Sequence, residues 1–224
     1  MIRGCIAALA ATLALFHWTS LDLRFQSLLF NAETGQWILS KQEPIARLVF
    51  YDGPRLMLIV AGIAALLLLA GQKWIGWARN HRRGLIILVL SLALVPTTVA
   101  VLKKATNVAC PGKVEQFGGP LPHVDVFDTY PDDARPDAVQ RCFPAGHASG
   151  GYALLGLIFL FRRPGLRVAA GSGAIAAGSL MGAYKMAIGD HFLSHTIVSL
   201  ELAILIVAVI AVTVKRFEAV QSKQ

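Results

Sequence analysis

The sequence predicts an all-α, polytopic membrane protein: a six-transmembrane-helix bundle in one domain spanning residues 1–224. Three observations carry that reading. The chain is 55% hydrophobic and only 15% charged, with a mean hydropathy of +0.59, which is too apolar for an ordinary soluble domain. Its apolar residues gather into six runs, each near the roughly 20 residues that cross a bilayer core as a helix. Its lysines and arginines fall between those runs. A net charge of +8 in a soluble chain would suggest nucleic acid, but here the basic residues report topology and no nucleic-acid partner is expected.

The first run, residues 4–19, follows Arg3 and reads as an uncleaved helix, because no small-x-small cleavage site of a secretory signal follows it. Residues 20–54 contain LDLRFQSLLF and WILSKQEPIARLVF, apolar at helical spacing but interrupted by charge. They are expected to form an amphipathic segment lying on the outer membrane surface. The second, third, fourth and sixth runs cover residues 55–71, 84–102, 147–161 and 192–214. The fifth, 167–184, is weakly apolar and rich in Gly, Ala and Ser, as expected of a helix packed among others and shielded from lipid. Glu201 lies within the sixth run, where an acid is either functional or the cap of a polar helix contact.

Lys73, Arg79, Arg82 and Arg83 lie between runs two and three, Arg162, Arg163 and Arg167 between four and five, and Lys215, Arg216 and Lys223 after run six. Basic clusters of this kind mark cytoplasmic segments. With Arg3, both termini are then cytoplasmic, and residues 20–54, 103–146 and 185–191 face outward. The acidic residues agree, since Glu115, Asp125, Asp128, Asp132, Asp133 and Asp137 all lie in the outer loop 103–146.

Three polar clusters fall at one expected depth on the outer side. Lys103 and Lys104, then Asn107, Cys110 and Pro111, end run three. Arg141-Cys142-Phe143-Pro144-Ala145-Gly146-His147 opens run four, and Lys185, Asp190, His191, Ser194 and His195 lead into run six. Moving a phosphoryl group requires cations for the non-bridging oxygens, a nucleophile, and an acid for the leaving oxygen. Lysines, two imidazoles and the amides of a helix start after Pro144-Ala145-Gly146 supply those parts without a metal or other cofactor. His191 and His195, one helical turn apart, also suit two metal ligands, with Asp190 or His147 completing the set. His123 has no evident partner.

The order Lys103 to Pro111, then Pro144-x-Gly146-His147, then Lys185 to His191 and His195 resembles the type 2 phosphatidic acid phosphatase (PAP2) family. Its motifs are Lys-x6-Arg-Pro, Pro-Ser-Gly-His and Ser-Arg-x5-His-x3-Asp. Cys110 stands at the first arginine, Ala145 at the serine, Lys185 at the second arginine and His195 at the aspartate. The resemblance implies a phosphohistidine intermediate on His191 and a general acid at His147. Phosphate would be bound by Lys103, Lys185, Gly146 and Ala145, with Lys104 or Arg141 replacing the missing arginine. His195, or else Asp190, would orient His191. Cys110 and Cys142 flank two of these motifs and are expected to form a disulfide on the oxidising outer side of a bacterial inner membrane. Closing about 33 residues in this way stabilises by roughly 3–4 kcal/mol on chain entropy.

The implied substrates are phosphorylated lipids reached laterally through the membrane: phosphatidic acid, phosphatidylglycerol phosphate, undecaprenyl diphosphate or the 1-phosphate of lipid A. A lipid phosphotransferase uses the same residues, and the altered third motif also fits an inactive phospholipid-binding or carrier protein.

Overall fold

In the computed structural model, residues 2–221 are described, so Lys223 lies outside the described residues. Helix α1 (Ile2–His17) leads across a sharp bend into α2 (Leu21–Ser27). A hairpin follows, β1 (Phe30–Asn31) against β2 (Gln36–Trp37). The short α3 (Pro44–Arg47) passes through a π-helical turn into α4 (Gly53–Ala70). After α5 (Gly76–Asn80) come α6 (Arg82–Thr106), a long loop with 3-10 turns, and α7 (Gly146–Ala153), which tightens into a 3-10 helix over Leu154–Leu160. Helices α8 (Pro164–Ala187) and α9 (Leu193–Gln221) complete the chain.

Every apolar run of the sequence is helical. Three helical stretches, Pro44–Lys73, Arg82–Lys113 (interrupted at residues 107–110) and Leu193–Gln221, are long and apolar enough to cross a membrane, and α1 with α2, bent by 69°, makes a fourth if counted together. Gly146–Leu160 is apolar but shorter. At 24 residues, α8 has the length to span at about 1.5 Å per residue, but its composition is less apolar. The surface of α4 is apolar and open, with Leu56, Met57, Ile59, Val60, Ile63, Leu66 and Leu67 exposed, as a lipid-facing helix requires.

Only one face of α8 is shielded. Gly171, Ala174, Gly178 and Met181 recur at three- and four-residue spacing and are buried, whereas Val168, Ile175 and Leu180 on the other side are exposed. The buried glycines let backbones approach closely. A Cβ on Gly151 of α7 would lie 2.6 Å from the Gly178 backbone, well inside contact distance. Glu201 accepts a hydrogen bond from Thr12 Oγ1 at 2.7 Å, tying α9 to α1.

Residues 20–54 are not the amphipathic helical segment that their apolar spacing suggests. Only α2 and the four residues of α3 are α-helical before the π turn. The stretch WILSKQ is instead strand and bend. The physical reason lies in what the hairpin packs on. Trp37 lies against Phe30 and Phe117, with ring centroids 4.8 and 5.4 Å away, and it covers Gly189, whose φ of +74° is in the left-handed region. Any side chain on Gly189 would collide with the indole. This contact, with Leu39 N–H donating to the Ala187 carbonyl at 3.3 Å, holds the hairpin segment against the turn between α8 and α9. Asp22 of α2 braces the same turn from below: its carboxylate accepts from the Ser194 N–H at 2.8 Å and from the Ser194 hydroxyl, capping the start of α9.

Arg83 near the start of α6 comes within 3.8 Å of Glu218 near the end of α9. The basic ends of these two helices therefore lie together, and the chemistry-bearing ends lie at the opposite pole.

Candidate active site

Four segments converge at that pole. Helix α6 ends at Asn107, whose left-handed conformation turns the chain into the loop. The loop is then fastened to the start of α7. The sulfurs of Cys110 and Cys142 are bonded, with Cα atoms 5.2 Å apart. Thr106 Oγ1 donates to the Phe143 carbonyl at 2.6 Å, Cys142 N–H to the Val108 carbonyl at 3.1 Å, and Gln140 N–H to Asn107 Oδ1 at 2.7 Å. The first two motifs are thereby locked in register.

Lys103 projects from the last turn of α6 toward the start of α7, its Nζ 3.4 Å from where a Cβ on Gly146 would sit. Glycine therefore leaves room for the ammonium group beside the helix start. The first N–H groups of α7, at Gly146, His147 and Ala148, have no intrahelical acceptor by the geometry of a helix start, and they point out of its positive end. Ala145 does not join them, because its N–H donates to the His195 carbonyl at 3.0 Å. Its expected part in binding phosphate is corrected accordingly: it anchors α7 to α9.

The His147 ring lies flat on Tyr51, with centroids 3.9 Å apart and planes 13° from parallel. Its Nε2 is buried and has no hydrogen-bond partner among the described residues. Lys185 Nζ sits 4.4 Å above the same Tyr51 ring and 2.9 Å from Asp190 Oδ2. Lys41 Nζ reaches the other oxygen, Asp190 Oδ1, at 2.5 Å. Burial acts to raise the Asp190 carboxyl, but the two ammonium groups outweigh it and hold the pKa below the usual carboxylate value.

His191 is buried among these cations. Its Nδ1 is 3.3 Å from His195 Nδ1, the nearest ring nitrogen to it. Burial first, then the charges of Lys103 and Lys185, hold its pKa well below the ordinary histidine value, so the ring is neutral. With Nδ1 so occupied, Nε2 is the nitrogen left with a nucleophilic lone pair.

Both His147 and His191 thus lie within electrostatic reach of the same two lysines and of each other. Asp190 does not orient His191, contrary to one expectation, because its carboxylate faces Lys41 and Lys185. His195 packs behind the nucleophile, edge-on to Phe143 and Phe192, fully screened from solvent. Lys104 and Arg141 are exposed and make no contact with this group among the described residues.

Metal ligation by the third motif fits the donors poorly. The sulfur of Cys142 stands 3.5 Å from His191 Nδ1, but it belongs to a disulfide, and Asp190 is turned away, which leaves two imidazoles.

Lys41, Tyr51 and Arg55 escaped the sequence reading. Arg55, which acts electrostatically on His147, opens the second apolar run at the outer depth that grouped the other clusters, so the same reasoning would have found it. Nothing in the sequence ties Lys41 to Asp190 or Tyr51 to His147.

No curated protein and no solved structure matches the chain. A family model, that of the PAP2 superfamily, matches residues 84–219, more than half of the sequence and all of the segment from α6 to α9 that carries Lys103, His147 and His191. The chain belongs to the PAP2 superfamily.

Proposed function

We propose that this protein is a membrane-bound phosphatase that releases phosphate from a lipid phosphate or diphosphate, with His191 as nucleophile and His147 as general acid. The observation that carries this reading is the meeting of two imidazoles, both near Lys103 and Lys185, beside the open amides of a helix start.

The phosphate settles between Lys103, Lys185 and the amides of Gly146 and His147, whose positive ends offset its charge. His191 Nε2 attacks phosphorus. A bond forms between that nitrogen and phosphorus as the bond to the leaving oxygen breaks. His147 Nε2, buried and without a protein partner, gives its proton to that oxygen. Water, deprotonated by the now neutral His147, then displaces phosphate from His191. The imidazolium character that His191 gains during attack needs an acceptor at Nδ1, and His195 Nδ1, 3.3 Å away, stands there where relatives with the full motif have a carboxylate.

A lipid substrate accords with a groove of about 350 Å³ between α4, α7 and α8, lined by Phe50, Pro54, Met57, Leu58, Leu154 and Leu180. Phe50 stacks on Tyr184, with centroids 5.8 Å apart, and Tyr184 lines the polar cleft that holds Lys41, Arg47, Tyr51 and Lys185. An acyl or prenyl chain lying in the groove thus leads its phosphate into the cleft. By this reading all six long or apolar helical segments cross a bacterial inner membrane. Both termini are cytoplasmic and the site opens at the periplasmic rim.

The test is phosphate release by purified protein from phosphatidic acid, phosphatidylglycerol phosphate, undecaprenyl diphosphate and lipid A 1-phosphate, with His191→Ala and His147→Ala alongside. Release from at least one substrate, abolished by His191→Ala, is expected. Wild type and variants equally inert with all four would favour a binding or carrier protein. Phosphate transferred to an added lipid alcohol in place of water would mark a phosphotransferase.

A further inference from the structure

The long outer loop brings a second group of polar side chains together, on the far side of His195 from the site. His17 ends α1. Its Nδ1 and one carboxylate oxygen from each of Asp125 and Asp128 all lie within 4.8 Å of one another. Nδ1 is 3.7 Å from Asp125 Oδ2, too far for a hydrogen bond, and it is buried with no hydrogen-bond partner among the described residues. The imidazole is held in place edge-on to Phe127, with centroids 5.6 Å apart.

The two carboxylates share one turn, where Asp128 Oδ2 accepts the Asp125 N–H at 3.2 Å. Burial and the charge of Asp128 push the Asp125 carboxyl up to about 6, against the opposing pull of His17. The free oxygen of Asp125 faces His123, whose Nε2 is 4.0 Å from Oδ1. At that distance His123 makes no hydrogen bond to the carboxylate.

An imidazole nitrogen and two carboxylate oxygens, one pair 3.7 Å apart and all within 4.8 Å of one another, leave space for a small cation between them. Ligands about 2.0–2.2 Å from a tetrahedral zinc stand roughly 3.3–3.5 Å apart, a few tenths of an ångström less than the 3.7 Å observed here.

We propose that His17, Asp125 and Asp128 form a binding site for a divalent cation of the zinc type, which clamps the outer loop to the end of α1. Mixed nitrogen and oxygen donors favour zinc over magnesium or calcium, which prefer oxygen alone. The position at the C-terminal end of α1 adds the negative pole of a helix dipole. The solvent side of exposed Asp128 leaves the fourth position to water. The clamp is structural: His195 lines the same small cavity as His17 and Asp125, but no reacting group faces the cation.

Full-length protein in detergent, stripped with chelator and then titrated with zinc chloride, tests this by bound metal per chain and by thermal midpoint. One zinc per chain and a raised midpoint are expected. His17→Ala and Asp128→Asn should each weaken zinc binding at least tenfold. Asp128 is exposed, so its substitution leaves the fold intact. His191→Ala should bind zinc like wild type. The proposal is overturned if wild type retains no zinc at micromolar concentration. It is equally overturned if zinc binding persists undiminished in both His17→Ala and Asp128→Asn. Phosphate release is not the readout, so the phosphatase reading stands or falls separately.

Discussion

In the proposed mechanism His191 enters as a neutral ring, and its burial among cations makes it so. The expected consequence is a loss of at least about 10³-fold in kcat for His191→Ala, and of about 10²–10⁴-fold for His147→Ala, the range for removal of a general acid, measured by phosphate release. The same burial has a stability signature. Because the folded pKa lies below the unfolded value of about 6.5, the unfolded chain binds more protons as pH falls through that value. Stability is therefore present at neutral pH and declines on acidification, with a slope of up to about 1.4 kcal/mol per pH unit for one such group. Thermal midpoints from pH 7.5 to 5 should fall less steeply for His191→Gln than for wild type. Lys41 belongs at this scale too. It holds Asp190 together with Lys185, so Lys41→Met should shift Lys185 and raise KM several-fold with a smaller effect on kcat, read from steady-state kinetics on a soluble lipid phosphate.

At the scale of elements, the site depends on how its helix ends are tied. The Cys110–Cys142 bond and the hydrogen bonds around Asn107 join the end of α6 to the start of α7. Replacing both cysteines with serine should lower stability by about 3–4 kcal/mol on loop-closure entropy and reduce activity, since the bond ties the helix end that carries Lys103 to the helix start that carries His147. Denaturant unfolding in detergent measures the first effect. The packing of α7 on α8 has no spare volume. Gly178→Leu would drive a side chain into the Tyr152 ring and is expected to destabilise by about 1–3 kcal/mol or more, the usual cost of overpacking. In the outer segment, Trp37→Ala should uncover Gly189 and loosen the turn before Asp190, lowering kcat while the membrane-embedded helices stay intact.

Across the whole molecule, what the sequence revealed and what it hid divide along physical lines. Six apolar runs were legible because the bilayer imposes length and composition on each separately, and their helices appear within a few residues of the expected bounds. Lys103, His147 and His191 could be singled out as candidates because their spacing to Pro111, Pro144 and Lys185 is local. The hairpin of residues 30–37 was not, since two-residue strands carry too little periodicity to stand out from helix spacing. Lys41 and Tyr51 were hidden for a related reason: the bends around the hairpin and the π turn bring them to the site, and these are tertiary contacts. The approach of His195 to His191 Nδ1 at 3.3 Å was legible, because the two residues stand one helical turn apart.

The most direct measurement is to trap the phosphorylated intermediate. Wild-type protein mixed with a lipid phosphate substrate and quenched in alkali, where phosphohistidine survives, should carry phosphate on the peptide containing His191, and His191→Ala should carry none. Sustained turnover with no phosphate on that peptide, or with the label on His147 instead, would contradict the assignment of His191 as nucleophile.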